Sequence, residues 1–191
     1  MRFSVILFVA VVQGAFFALL VLLLFVNRAR RSHRSRAAAA AANMVAEPFQ
    51  RWLLGKGTAA DLANVLRRLP EREALDQLTI HVAPRAAPEH LAQLARALRE
   101  MMRDSDWRVR AQAARALGAV GANDAVAELS NGLADRSWWV RFRSALALAQ
   151  LGEAGRRALR VARERPDRFA ADMASMVSGL SDGAVMELAE A

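Results

Sequence analysis

The sequence has no cysteine and no tyrosine, only three histidines and, among its 27 basic residues, a single lysine, Lys56. Without cysteine there is neither a disulfide framework nor a thiolate metal site. His33 stands in a cluster of arginines. His81 and His90 are nine residues apart, a spacing that does not put two ligands on one helical face. Catalysis requires titratable groups converging in a pocket, and neither a glycine-rich phosphate loop nor a nucleophile motif is present. The chain therefore reads as a non-enzyme with no cofactor and no metal. Charge of one sign is unevenly spread. Residues 1–36 carry six arginines and no acid, whereas the remainder carries 21 basic and 19 acidic residues, so most of the net +8 sits at the N-terminus. The nearly neutral remainder gives no argument for nucleic acid as a partner.

One long apolar run is present. Phe3 to Val26 is 24 residues without a charge. As a helix it would reach roughly 36 Å, against a hydrocarbon core of about 30 Å. A cleaved signal peptide would have a shorter apolar region leading directly to a small-residue cleavage site. Here Arg28, Arg30, Arg31, Arg34 and Arg36 intervene before the alanine run 37–42. We therefore expect an uncleaved single transmembrane helix over 1–27, and a basic juxtamembrane segment with an alanine-rich stalk over 28–47. One arginine precedes the span and five follow it, which predicts an external N-terminus and a cytoplasmic C-terminal domain at a bacterial-type plasma (inner) membrane. The five arginines are also expected to contact anionic head groups. Ala10, Gly14 and Ala18 form a small-residue stripe beside Gln13. It either packs against another transmembrane helix or faces lipid.

The rest of the chain is organised around a duplication. Asp104, Trp107, Val109, Arg110, Ala114, Ala116, Leu117 and Gly121 recur 31 residues later as Asp135, Trp138, Val140, Arg141, Ala145, Ala147, Leu148 and Gly152. In each copy a helix-capping position, an apolar face at helical spacing and a glycine stop are followed by a second, shorter helix. A period of this size marks stacked units that bury their apolar faces against neighbours. Elsewhere, Thr58 and Asp61 stand at capping-box spacing. Pro48 is expected to interrupt the helix that starts in the alanine run, and Gly55-Lys56-Gly57 to stop the next. Pro70 is expected to open a helix through Leu75 and Leu78, and Pro88 another through Met102. No segment has a sustained period of two, so no sheet is expected.

The pattern D-x-x-W-x-V-R, then A-x-A-L, then G resembles HEAT repeats, and specifically the short HEAT-like repeats of phycobilisome lyases, over residues 104–165. The resemblance implies an all-α fold in which the transmembrane helix is followed, over 48–191, by an α-solenoid of about four helix pairs, two of them at 104–134 and 135–165. It also implies a protein–protein interaction scaffold or regulatory subunit. The alternative within the same resemblance is a lyase or chaperone acting on a tetrapyrrole chromophore or its carrier protein. HEAT-like di-iron hydroxylases use repeated His-Glu pairs, whereas this chain has only the reversed Glu89-His90. Trp107 and Trp138, recurring at the first turn, are expected to pack between units.

Comparing the copies locates a candidate surface. Arg108, Ala111 and Arg115 of the first become Trp139, Phe142 and Leu146 in the second, an apolar stripe additional to the core face. It either packs against Phe169 and Met173 of the next unit or forms an exposed aromatic patch. Arg156, Arg160 and Arg163 form a basic ridge on the following helix, either a solvated face or, as the resemblance implies for second helices, part of a concave groove. The partners expected are the membrane itself and a protein, through an acidic segment or as another membrane protein.

Overall fold

The computed structural model describes residues 22–23, 36–164 and 166–190. The chain divides into two compact units, residues 1–40 and 41–191. In the first, Leu22, Leu23 and residues 36–40 are helical and exposed. Apart from the two leucines, the anchor expected over 1–27 lies outside the described residues. So do Ala10, Gly14 and Ala18, and Arg28, Arg30, Arg31 and Arg34. No helix among the described residues is long and apolar enough to cross a membrane.

The second unit is all-helical, with no strand among the described residues, an arrangement consistent with an α-solenoid. Its helices are α1 (residues 41–53), α2 (Ala59–Arg68), α3 (Glu71–Asp76), α4 (Pro88–Met101), α5 (Trp107–Ala119), α6 (Val126–Gly132), α7 (Trp138–Gln150), α8 (Gly152–Arg163), α9 (Arg168–Ser178) and α10 (Asp182–Glu190). Their ends follow local chemistry. Thr58 and Asp61 close a reciprocal capping box at α2, which satisfies N–H groups that the first turn leaves free. Asp106 and Asp167 each accept a first-turn N–H at 2.9 Å, from Arg108 and Phe169. Gly121 and Gly152, one repeat apart, take φ of 66° and 62°, a conformation that glycine adopts without steric cost.

Two expectations change. Pro48 does not interrupt α1, which is helical on both sides of it. A proline removes the donor that would satisfy the carbonyl four residues back. Here that residue is Met44, which is exposed, so solvent can take the bond. The helix expected through Leu75 and Leu78 instead widens at Gln77–Val82 into a π-helical turn that buries the Gln77 side chain.

Stacking positions the surface. α5 packs along α7 and α7 along α9, while α6 lies beside α8 and against α7. A Cβ on Gly118 would come within 2.9 Å of the Ala147 Cβ, so α5 and α7 approach at a distance that excludes even alanine. Leu62, Leu66, Leu94, Leu98, Leu117, Leu129, Leu133 and Leu148 are fully buried between layers. The last helix, α10, packs against α7. Arginines from two earlier helices hold it there: Arg115 Nε donates to the Ala189 carbonyl at 2.8 Å and Arg143 Nη1 to the Leu188 carbonyl at 3.2 Å.

The arginine of the repeated V-R pair ties one unit to the next. Arg110 Nη1 donates to the carbonyls of Asp104 and Ser105 in its own loop, while Nε and Nη2 grip both carboxylate oxygens of Asp135 at 2.8 and 2.9 Å. Asp135 also accepts the Ser137 N–H at 2.8 Å, which fixes the entry to α7. One unit earlier, Asp104 accepts the Asp106 N–H and pairs with Arg67 at 2.7 Å. One unit later the series changes: Arg141 binds its own loop carbonyls but lies over the Phe169 ring, 4.7 Å from its centroid. Across the other layer, Arg99 of α4 donates to Glu128 of α6 at 2.7 Å.

Leu117 and Leu148 occupy equivalent, fully buried positions. Leu→Ala at either is expected to cost about 2–5 kcal/mol in urea unfolding, against less than about 0.5 kcal/mol for Arg108→Ala at an exposed position. A second prediction concerns acid. Burial pushes the Asp135 carboxyl up, but hydrogen bonds from Arg110 and the Ser137 N–H, with the charges of Arg110 and Arg141, hold it below the ordinary aspartate value. A carboxyl lowered on folding adds stability that is complete above its unfolded pKa and is lost as pH falls through the folded one. At neutral pH Asp135→Asn is therefore expected to be less stable by about 1.5–3 kcal/mol. Unfolding midpoints measured down the acid limb should converge with the wild type below the folded value.

Candidate functional site

α5 and α7 begin side by side, and their first turns, with the end of α2, enclose a recess of about 460 Å³. α2 and the residues after it supply Arg67, Leu69 and Pro70. α5 supplies Asp106, Trp107, Arg108, Val109, Ala111 and Gln112, and α7 supplies Trp139 and Arg143. Leu69, Val109 and Ala111 are buried and form an apolar floor. The two tryptophans stand around it half-exposed, Trp107 at 37% and Trp139 at 49%. The Arg108 guanidinium lies 5.1 Å from the centroid of the Trp107 ring.

The polar groups of this recess are differently committed. Asp106 caps α5, and Arg67 is paired with Asp104. Gln112 Nε2 donates to the Leu66 carbonyl at 2.7 Å and so closes the C-terminal end of α2. Arg143 occupies the same place in the second copy and does the same for α10. Arg108 is exposed, and among the described residues no carboxylate lies within salt-bridge distance of it.

The expected aromatic stripe proves not to be one surface. Trp139 opens onto the recess. Phe142 is half-buried and stacks on Trp138, with ring centroids 5.0 Å apart and planes 12° from parallel. Leu146 is 2% exposed and belongs to the core cluster, so it cannot meet a partner. At about 100° per residue Leu146 points within about 20° of Trp139, so its burial comes from its place two turns further along α7, where that face is covered by the core. Of the two residues expected to cover the stripe, Phe169 is 61% exposed under Arg141, whereas Met173 is buried in the same core cluster as Leu146. Trp107 and Trp138, expected between units, are both substantially exposed.

Arg156, Arg160 and Arg163 do line a common groove, about 250 Å³, with Leu159 of α8, Val177 of α9 and Val185 of α10. It is separate from the tryptophan recess. Glu153 lies within this ridge, 2.8 Å from Arg160 and 3.5 Å from Arg156. The hydrogen bond from Arg160, and then its charge, hold the Glu153 carboxyl below the ordinary glutamate value. The ridge is thus partly neutralised by its own helix.

Trp107, Arg108, Arg67 and Leu69 are the functional candidates that comparison of the copies passes over. Matching positions along the chain shows where residues changed. It does not show that first turns of adjacent units face each other across the α5–α7 contact. Among the described residues no group of three or more His, Asp or Glu is placed to hold a metal ion. His90 packs edge-on against Trp52 at 5.1 Å.

The recess and the core make separable demands on Trp139. We expect Trp139→Ala to change the unfolding free energy by less than about 1 kcal/mol, because half of the side chain is already in water. Leu146→Ala, in the core of the same helix, should cost about 2–5 kcal/mol. Urea unfolding of the two variants measures both.

No curated protein and no solved structure matches this chain. A family model described as HEAT repeats matches residues 95–173, a description without a subtype. That span contains both 31-residue copies, the α5 and α7 walls of the recess and the arginine ridge, and over it the chain is similar to HEAT repeats.

Proposed function

We propose that this protein is a membrane-tethered, non-catalytic docking module whose HEAT-like domain holds a protein partner through the tryptophan recess. HEAT repeats point to a protein-interaction scaffold in general. The observation that carries the specific reading is the composition of the recess. Two half-exposed tryptophans and three arginines stand over a buried apolar floor. Tryptophan and arginine are the types enriched at energetic hot spots, because each joins a large desolvated area to a directional polar group. The tether rests on the apolar run Phe3–Val26 and on the five arginines that follow it.

Two measurements test this reading. A photoreactive benzophenone side chain in place of Trp107 is expected to cross-link a discrete protein in intact cells, whereas the same group at the exposed Arg157 is not. Capture of lipid only, or of nothing, at position 107 overturns the docking reading. For the tether, a reporter active only in the cytoplasm and fused after Ala191 should be active, and an export-dependent one silent. The opposite pattern overturns the N-out, C-in topology and the cytoplasmic placement of the repeats.

A further inference from the structure

We infer that the occupant of the recess is an acidic segment of a protein, carrying one large apolar side chain that seats between Trp107 and Trp139 while a neighbouring carboxylate meets Arg108. The inference rests on the docking reading above and adds the chemistry of the partner.

Three observations carry the sign of the charge. Arg67, Arg108 and Arg143 line the recess beside one carboxylate, Asp106, and although Asp104 already pairs with Arg67 and the Leu188 carbonyl takes Arg143, among the described residues no carboxylate lies within salt-bridge distance of Arg108. α5 and α7 both begin here, at Trp107 and Trp138, and helix N-termini carry partial positive charge. The helix ends of opposite polarity that come near are already occupied: Gln112 caps the Leu66 carbonyl, and Arg143 caps the Leu188 carbonyl. An incoming carboxylate therefore meets donors and positive ends, with the nearby acceptors filled.

The apolar half follows from exposure and shape. Trp107 and Trp139 remain partly exposed beside Leu69, Val109 and Ala111, a site that gains by covering. Packed helix axes lie about 8–10 Å apart, and an extended chain rises about 3.3 Å per residue. Some three residues of a segment thus span from the α5 wall to the α7 wall. That separation lets one segment place its anchor on the tryptophans and its carboxylate on Arg108. The α8 groove is the poorer competitor for an acidic segment, because Glu153 already pairs with Arg156 and Arg160.

The test is titration of the full chain with fluorescent twelve-residue peptides, all Glu and Asp except for a central Leu, Phe or Trp. Matched peptides carry Gln and Asn instead, and thermal unfolding of each variant is measured alongside. We expect the acidic peptides to bind at least tenfold more tightly than the neutral ones, with added salt narrowing the gap. Arg108→Glu should raise the dissociation constant at least tenfold and Arg108→Gln by less. Trp139→Ala should raise it about thirtyfold, the loss typical of a hot-spot anchor. Arg160→Glu should leave it within twofold. Equal binding of acidic and neutral peptides overturns the inference, as does indifference to Arg108→Glu in a folded variant. Loss on Arg160→Glu instead moves the acidic segment to the α8 groove, and overturns the inference while leaving a docking module. If no peptide binds, the acidic-segment inference falls, and cross-linking from position 107 decides separately whether the docking reading falls with it.

Discussion

The bidentate contact between Arg110 and Asp135 is the constraint on which the repeat geometry depends. One guanidinium closes the loop that precedes its own helix and grips the loop that precedes the next. The register between α5 and α7 is therefore set by charge and by directed hydrogen bonds, as well as by apolar contact. Gly118 then lets the two helices close on each other. Because both first turns are fixed from below by the same pair, Trp107 and Trp139 face a common recess. A solenoid is a chain of nearest-neighbour interfaces, and this pair is one link of that chain. Arg67–Asp104 precedes it, and Arg99–Glu128 runs in the opposite layer.

This contact also explains how much of the fold was legible in the sequence. The duplication exposed D-x-x-W-x-V-R as a unit, and both ends of the motif prove to be structural: the aspartate orders the loop and the arginine binds it. The helix start at Thr58 was readable because capping is local chemistry. Pro48 misled, since a proline disfavours a helix without forbidding one when the orphaned carbonyl reaches solvent. The fate of α10 was not readable. It depends on Arg115 and Arg143, which are more than forty residues away in the chain and look like surface charges in a one-dimensional pattern.

The site was half legible for the same reason. Trp139 stood out because it replaced Arg108 of the first copy, and it does open onto the recess. Leu146 shared its direction and is core, because what covers a helix face two turns further along depends on neighbouring helices that a one-dimensional pattern does not show. Arg156, Arg160 and Arg163 were read correctly as one face. The sequence offered no reason to separate that face from Trp139, since the separation comes from how α8, α9 and α10 converge.

The grip on α10 has a further consequence. Arg115 and Arg143 both bind main-chain carbonyls near the end of α10, groups that are present whatever side chain the residue carries. Replacing the exposed Leu188 with another helix-forming residue leaves both acceptors where they are. Inserting one residue within α10 swings the carbonyls by about 100° and removes both. The final helix is held by its phase, and it tolerates substitution far better than insertion.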